Sequence, residues 1–244
     1  MARKMGFEAA RHLLSRAGFG GSYEEIEATS KRSAKDVVDA LIADAKTGKT
    51  ATAAPSFVGS PPARLEMRSR RREIMAETDP AKQEQLKQKM KREVVQTSIV
   101  RAQELKGWWL QEMVATSSPL QEKMLLFWHN HFTSSLTKVK SPVLIYNQHM
   151  MLRKHALGSF REMLAGVARD PAMILYLDNV SNRRRKPNEN FARELLELFT
   201  LGEGHYTEAD IKEAARAFTG WTLDRKTGKC RLGEGLQFPG ETVS

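Results

Sequence analysis

The chain has 244 residues, enough for one large domain or two small ones, and carries 39 Lys and Arg against 29 Asp and Glu, a net charge of +10. A single cysteine, Cys230, excludes an internal disulfide, and no run is long or apolar enough to cross a membrane. The basic excess favours acidic partners such as nucleic acid, anionic lipid or acidic polymer, but it is spread along the chain, which equally fits a protein with basic helix faces.

The first residues, MARKMGFEAARHLL, are basic but turn amphipathic at once. No secretory signal is read there, and the chain as written reads as cytoplasmic. Phe7 to Ala17 is a predicted helix with Ala10, Leu13, Leu14 and Ala17 on one face, ended by the glycines of GFGG. Ser22-x-x-Glu25 is a capping box for a short helix, and Ser33-x-x-Asp36 starts another with Val37, Val38, Leu41 and Ile42 inward. Residues 46–62, rich in Thr, Ala, Gly, Ser and Pro, read as a loop.

Residues 63–116 form a long, charged helical segment, broken at 79–80 with Pro80 opening the second part. Arg68, Arg70, Arg71 and Arg72 make the strongest basic cluster. Interspersed glutamates, and the lack of aromatic residues between the bases, argue against nucleic-acid binding there. Trp108, Trp109, Leu110 and Met113 are expected to pack inward. Ser118-Pro119-Leu120-Gln121 has the form of a capped helix start with Pro at the first position. On the helix that follows, His129 and His131 are two residues apart and point about 200° from each other, so they cannot chelate one ion together. Glu122, Leu126 and His129 share a face. Helices over 143–157, from Ser159-x-x-Glu162, and from Asp170-Pro171 come next, then the basic turn SNRRRK.

Lys186 to Trp221 is the densest charged stretch on an apolar framework. Phe191, Leu195 and Leu198, widened by Ala192, Leu196 and Phe199, predict a mostly buried helix opened by Pro187 and Asn188. Asn190, Arg193, Glu194 and Glu197 lie opposite, with Glu189–Arg193 and Arg193–Glu197 as i, i+4 pairs. Thr207 and Asp210 cap a second helix, whose inner face is Ile211, Ala214, Ala215 and Phe218. The charged face has two readings. One is a salt-bridged surface. The other is a partly buried carboxylate cluster that holds a metal ion or positions a substrate, with Glu189, Glu194, Glu197 and Arg193 joined by His129 or His131. Glu194-Leu-Leu-Glu197 lacks the histidine that usually completes a helical di-metal motif. The expected architecture is all-α: a bundle-like helical domain over 1–222, then a Gly-rich irregular tail over 223–244.

ARHLLSRAGFG at 10–20, LQEKMLLFWHNHF at 120–132, LRKHALGSFREML at 152–164, DPAMILYLDN at 170–179 and the long motif at 187–221 together resemble the bacterial family catalogued as domain of unknown function 1800. The resemblance runs in order across nearly the whole chain. It implies that Glu122, His129, Asn130, His131, Asn188, Glu189, Asn190, Arg193, Glu194 and Glu197 occupy the family's polar signature positions. It also implies export for many members, and a partner in another exported bacterial protein. Family members usually continue through a His-Asp motif and further helices, so the chain is expected to be a fragment. The functional expectation is a hydrolase-like or metal-assisted enzyme acting on envelope or polymeric material. The alternative is a non-catalytic helical scaffold for an exported partner, and nucleic-acid binding has the least support.

Overall fold

The computed structural model describes residues 3–60, 70–72, 74–183, 186–224 and 229–232. Arg68 of the basic cluster, Arg184 and Arg185 of the basic turn, and residues 233–244 of the tail lie outside them. The chain is overwhelmingly helical, as the spacing of its apolar residues predicts. In order the helices are α1 (Phe7–Ala17), α2 (Tyr23–Ser30), α3 (Ala34–Ala45), α4 (Pro80–Ala115), α5 (Pro119–His131), α6 (Leu136–Val139), α7 (Pro142–His155), α8 (Phe160–Ala168), α9 (Pro171–Tyr176), α10 (Asn190–Glu194) and α11 (Glu208–Ala217). No helix among the described residues is long and apolar enough to cross a membrane.

Local chemistry sets most of these boundaries. Ser22 accepts from the Glu25 amide while the Glu25 carboxylate accepts from the Ser22 amide at 2.7 Å, so both halves of the capping box form. Thr207 and Asp210 do the same for α11. Ser22→Ala is expected to cost about 1 kcal/mol, measurable by urea denaturation. The start of α5 departs from its sequence signature. Ser118 Oγ donates to the Asp44 carbonyl at 2.9 Å, and Gln121 turns inward to the Arg153 carbonyl, so the box of that helix is not made. Gly18 is needed for space: a Cβ there would meet Pro119 Cβ at 2.9 Å.

Two compact units emerge. The first holds Met1–Ser56, Gln103–Asn130 and His149–Met163. Its core includes Ala10, Val37, Trp108, Leu125, Leu152 and Met163. The second holds Phe57–Ala102, His131–Gln148 and Leu164–Ser244. Its core includes Phe132, Val167, Met173, Ile174, Phe191, Phe199 and Ile211.

Four expectations need correction. Val38 and Ile42, read as inward on α3, are exposed, and Val37 and Ala45 are that helix's buried residues. Leu110 is 63% exposed, while Glu112 is fully buried. The inward stripe of α4 is Leu105, Trp108, Trp109, Glu112, an i, i+3, i+4, i+7 set that places Leu110 on another face. Leu198 is 59% exposed, because the helix widens to a π turn over Leu195–Thr200. The Leu201 amide there bonds the Leu196 carbonyl, and with the longer repeat it is Phe199, against Phe132, that is buried rather than Leu198. After Trp221 the chain is not wholly irregular: β1 (Trp221–Leu223) pairs antiparallel with β2 (Cys230–Leu232), Trp221 opposite Leu232.

Candidate functional site

The first unit contains the site. Three helices contribute stripes in which charged or polar groups occupy positions the helical repeat reserves for core. From α4 come Trp108, Trp109 and Glu112. From α5 come Gln121, Glu122, Leu125 and His129, and from α7 come His149, Leu152, Arg153 and Ala156. His149, Leu152, Arg153 and Ala156, the last just past the end of α7, follow i, i+3, i+4, i+7 spacing; Glu122, Leu125 and His129 follow i, i+3, i+7; and Trp108, Trp109 and Glu112 complete the same pattern from Leu105, so each set shares one face.

At the centre lies Arg153, 2% exposed, flanked by Glu112 and Glu122, both at 0%. Its Nη1 pairs with Glu122 Oε1 and its Nη2 lies 3.7 Å from Glu112 Oε2. Nη2 also donates to the Lys49 carbonyl at 2.9 Å. Glu112 accepts from the Ala51 amide at 2.9 Å, the Thr52 amide at 2.6 Å and the Thr52 hydroxyl. Glu122 Oε2 accepts from Trp109 Nε1 at 3.3 Å. Burial pushes the Glu122 carboxyl up, against the pull of Arg153 and Trp109.

Beside this ionic set is a pair of imidazoles. His129 Nε2 lies 3.2 Å from His149 Nδ1. The Trp109 ring packs on both, with centroids at 4.8 Å and 5.0 Å, and Trp108 meets His149 edge-on at 5.1 Å. His149 is buried and His129 half-buried. Desolvation lowers His129 to about 4, and lowers His149 well below its ordinary value with help from His129 and Arg153. Both rings are therefore neutral at pH 7, and one N–H is shared between the two facing nitrogens. His149 Nε2 and Arg153 Nε are buried without a hydrogen-bond partner in the structure.

Burying one cation and two anions costs several kcal/mol per ion, and an apolar trio of the same shape would serve stability as well or better. Stability alone does not account for such a set. Strongly shifted ionisable groups packed together mark candidate functional sites.

The other sequence-derived candidates lie in the second unit, except Asn130, which is exposed at the end of α5. Asn188 accepts from the Asn190 amide at 3.1 Å and donates to Ser181 Oγ, opening α10. Exposed Asn190 is the first residue of that helix. Arg193 makes a two-pronged pair with Glu208, at 2.8 and 2.9 Å, and stays 4.0 Å from Glu189. Glu197 accepts from the Tyr206 hydroxyl at 2.7 Å instead of pairing with Arg193, since the π turn rotates it away. Burial raises Glu194, with Glu197 adding to the effect. His131 Nε2 bonds the Phe199 carbonyl at 3.1 Å. Water screens such half-exposed pairs, so they contribute little to stability. Among the described residues no three His, Cys, Asp or Glu side chains are grouped so as to hold a metal ion.

Sequence reasoning singled out Glu122 and His129 but passed over Glu112, His149 and Arg153. The available signal was an ionisable residue on an apolar stripe, as in Leu105–Glu112 and His149–Ala156. A family model described as "Protein of unknown function (DUF1800)" matches residues 12–241. The chain belongs to that family. Searches of curated proteins and of solved structures found no match.

Proposed function

We propose that this member of a family without an assigned activity is a hydrolase-like enzyme whose water-activating centre is the His129–His149 pair. The observation that carries the reading is the contact of two neutral imidazoles, one of them half-buried and so within reach of a substrate, beside a buried Glu112–Arg153–Glu122 set. Activation of water needs a base or a Lewis acid, and the imidazole nitrogens supply the first directly. The ionic set and the two tryptophans fix the rings in a dry surrounding, where electrostatic effects are strongest. Acidic or envelope polymer is the substrate class in keeping with a net charge of +10.

The test is a screen of the purified chain against ester, glycoside and peptide substrates. Turnover is expected to fall by about 100-fold or more in His129→Ala and to persist in Glu194→Ala. Turnover indifferent to His129→Ala, or none on any class, removes the reading. A second reading, a non-catalytic helical partner, draws on Leu110 and Val114, exposed one turn apart on α4. It requires no turnover, so the same screen separates the two.

A further inference from the structure

We propose, independently of the hydrolase reading, that the aromatic face formed by Phe19, Phe127, Trp128 and Phe160 on the first unit docks on an anionic phospholipid bilayer. The attachment is peripheral: side chains enter the headgroup layer and no segment crosses it.

Apolar rings are exposed together there. Phe127 is 53% exposed, Phe19 45% and Phe160 41%, with Trp128 half-buried among them. Ring centroids lie 4.9 Å apart for Phe127 and Trp128 and 5.9 Å apart for Trp128 and Phe160, so the three make one continuous surface. Lys123, one turn before Phe127 on α5, extends it to Phe19, its Nζ lying 5.3 Å from the centre of that ring. Contiguous exposed apolar surface of this kind marks a site of interaction.

What the rings offer selects the partner. The phenylalanines carry no polar atom, and Trp128 Nε1 already donates to the Ala156 carbonyl at 2.8 Å. The rings therefore give a sugar hydroxyl no hydrogen bond. Trp128 stands at 74° to Phe127 and 31° to Phe160, so the face has no common plane on which a row of sugar rings would stack. A bilayer interface makes neither demand, and aromatic rings settle at the level of its headgroups. Charge points the same way. Arg16 in the last turn of α1, Lys123, and Arg161 directly after Phe160 flank the face. Such side chains lay their methylenes along apolar surface and reach phosphate with their charged ends. Glu162 is an acid beside them, its carboxylate 3.7 Å from His155 Nδ1. The cations at the rim outnumber it and complement a negative lipid surface.

The experiment sediments the full chain with vesicles of phosphatidylcholine and phosphatidylglycerol in equal parts, and with vesicles of phosphatidylcholine alone. Binding is expected to the anionic vesicles, weakening as salt is raised, and only marginally to the neutral ones. Phe127→Ala combined with Phe160→Ala should weaken it by about tenfold or more. Lys123→Glu combined with Arg161→Glu should weaken it comparably, and Leu110→Ala, exposed on α4, should leave it unchanged. Because Phe160 packs on Trp128, thermal melting establishes that the phenylalanine variant is folded, while the lipid and salt dependence of the unsubstituted chain needs no variant. No binding to anionic vesicles, equal binding to neutral ones, or binding indifferent to both double variants overturns the inference. So does a concentration-dependent dimer, or retention on an acidic polysaccharide, that the phenylalanine variant abolishes while vesicles stay unbound; the face then serves a second copy or a glycan.

Discussion

Arg153→Met is expected to lower the stability of the first unit by about 3–5 kcal/mol, read by urea denaturation followed through tryptophan fluorescence. Three of the four tryptophans, Trp108, Trp109 and Trp128, belong to that unit. Methionine is similar in length, so the loss is electrostatic rather than steric. The substitution leaves Glu112 and Glu122 facing each other's environment in the core without a cation. Glu112 keeps the donors of Ala51 and Thr52, and Glu122 keeps Trp109 Nε1, so neither is wholly stranded. Neutralising the partners as well, in Arg153→Met combined with Glu112→Gln and Glu122→Gln, should return most of the loss, since the cost lies in the uncompensated charges. A single-variant cost below about 1 kcal/mol would mean that the three groups are not ionised together, and the case for a charged site would fall.

Asp170 gives the second large effect, and it is a pH effect in the other unit. Burial raises this carboxyl from 3.8 to about 7, outweighing the bonds from Met173, Gln148 and Ala172 that favour the anion. Two of these converge on one oxygen: Gln148 Nε2 and the Met173 amide each donate to Oδ1 at 2.8 Å. A proton on Oδ2 costs neither of them. The sign follows from proton counting. Between pH 4 and 7 the folded chain holds this proton and the unfolded chain does not, so stability falls as pH rises through that window and levels off above it. The shift of about three pH units sets an upper size of roughly 4 kcal/mol. Asp170→Asn keeps an Oδ1 acceptor for both donors and cannot ionise. It should flatten the pH dependence and be the more stable form at pH 8, as measured by thermal melting across pH 4–8. Identical profiles for the two proteins would show that Asp170 titrates as an ordinary carboxyl.

The helices were legible where one residue sets one boundary. Ser22, Ser33 and Thr207 cap, Pro80 and Pro119 open, and glycines close. Legibility failed where partners come from afar. Ser118 has the right side chain for a cap, but the Asp44 carbonyl claims it. Local spacing placed Glu197 one turn from Arg193, and only the π turn explains why Tyr206 and Glu208 became their respective partners. Asn182, read as part of a basic turn, is a buried hub that donates to the Ala215 carbonyl at 2.8 Å and accepts from the Asn188 amide. The site followed the same rule. Glu122 and His129 stood out because they share a face of one helix. Glu112, His149 and Arg153 did not, because a buried ionisable group is recognised by what surrounds it, and its partners lie 20 to 104 residues away along the chain.

The segment before Phe57 has the small-residue composition of a site that processing enzymes cut and that evolution lengthens freely. Its backbone is tied down: Lys49 by a guanidinium, Ala51 and Thr52 by Glu112, Ser56 by Glu104. A tract that looks dispensable is therefore sealed by the same buried charges that make up the site. Trypsin and similar enzymes should find Lys46 and Lys49 slow to cleave, and duplications between 49 and 56 should be tolerated poorly for a surface stretch of that composition.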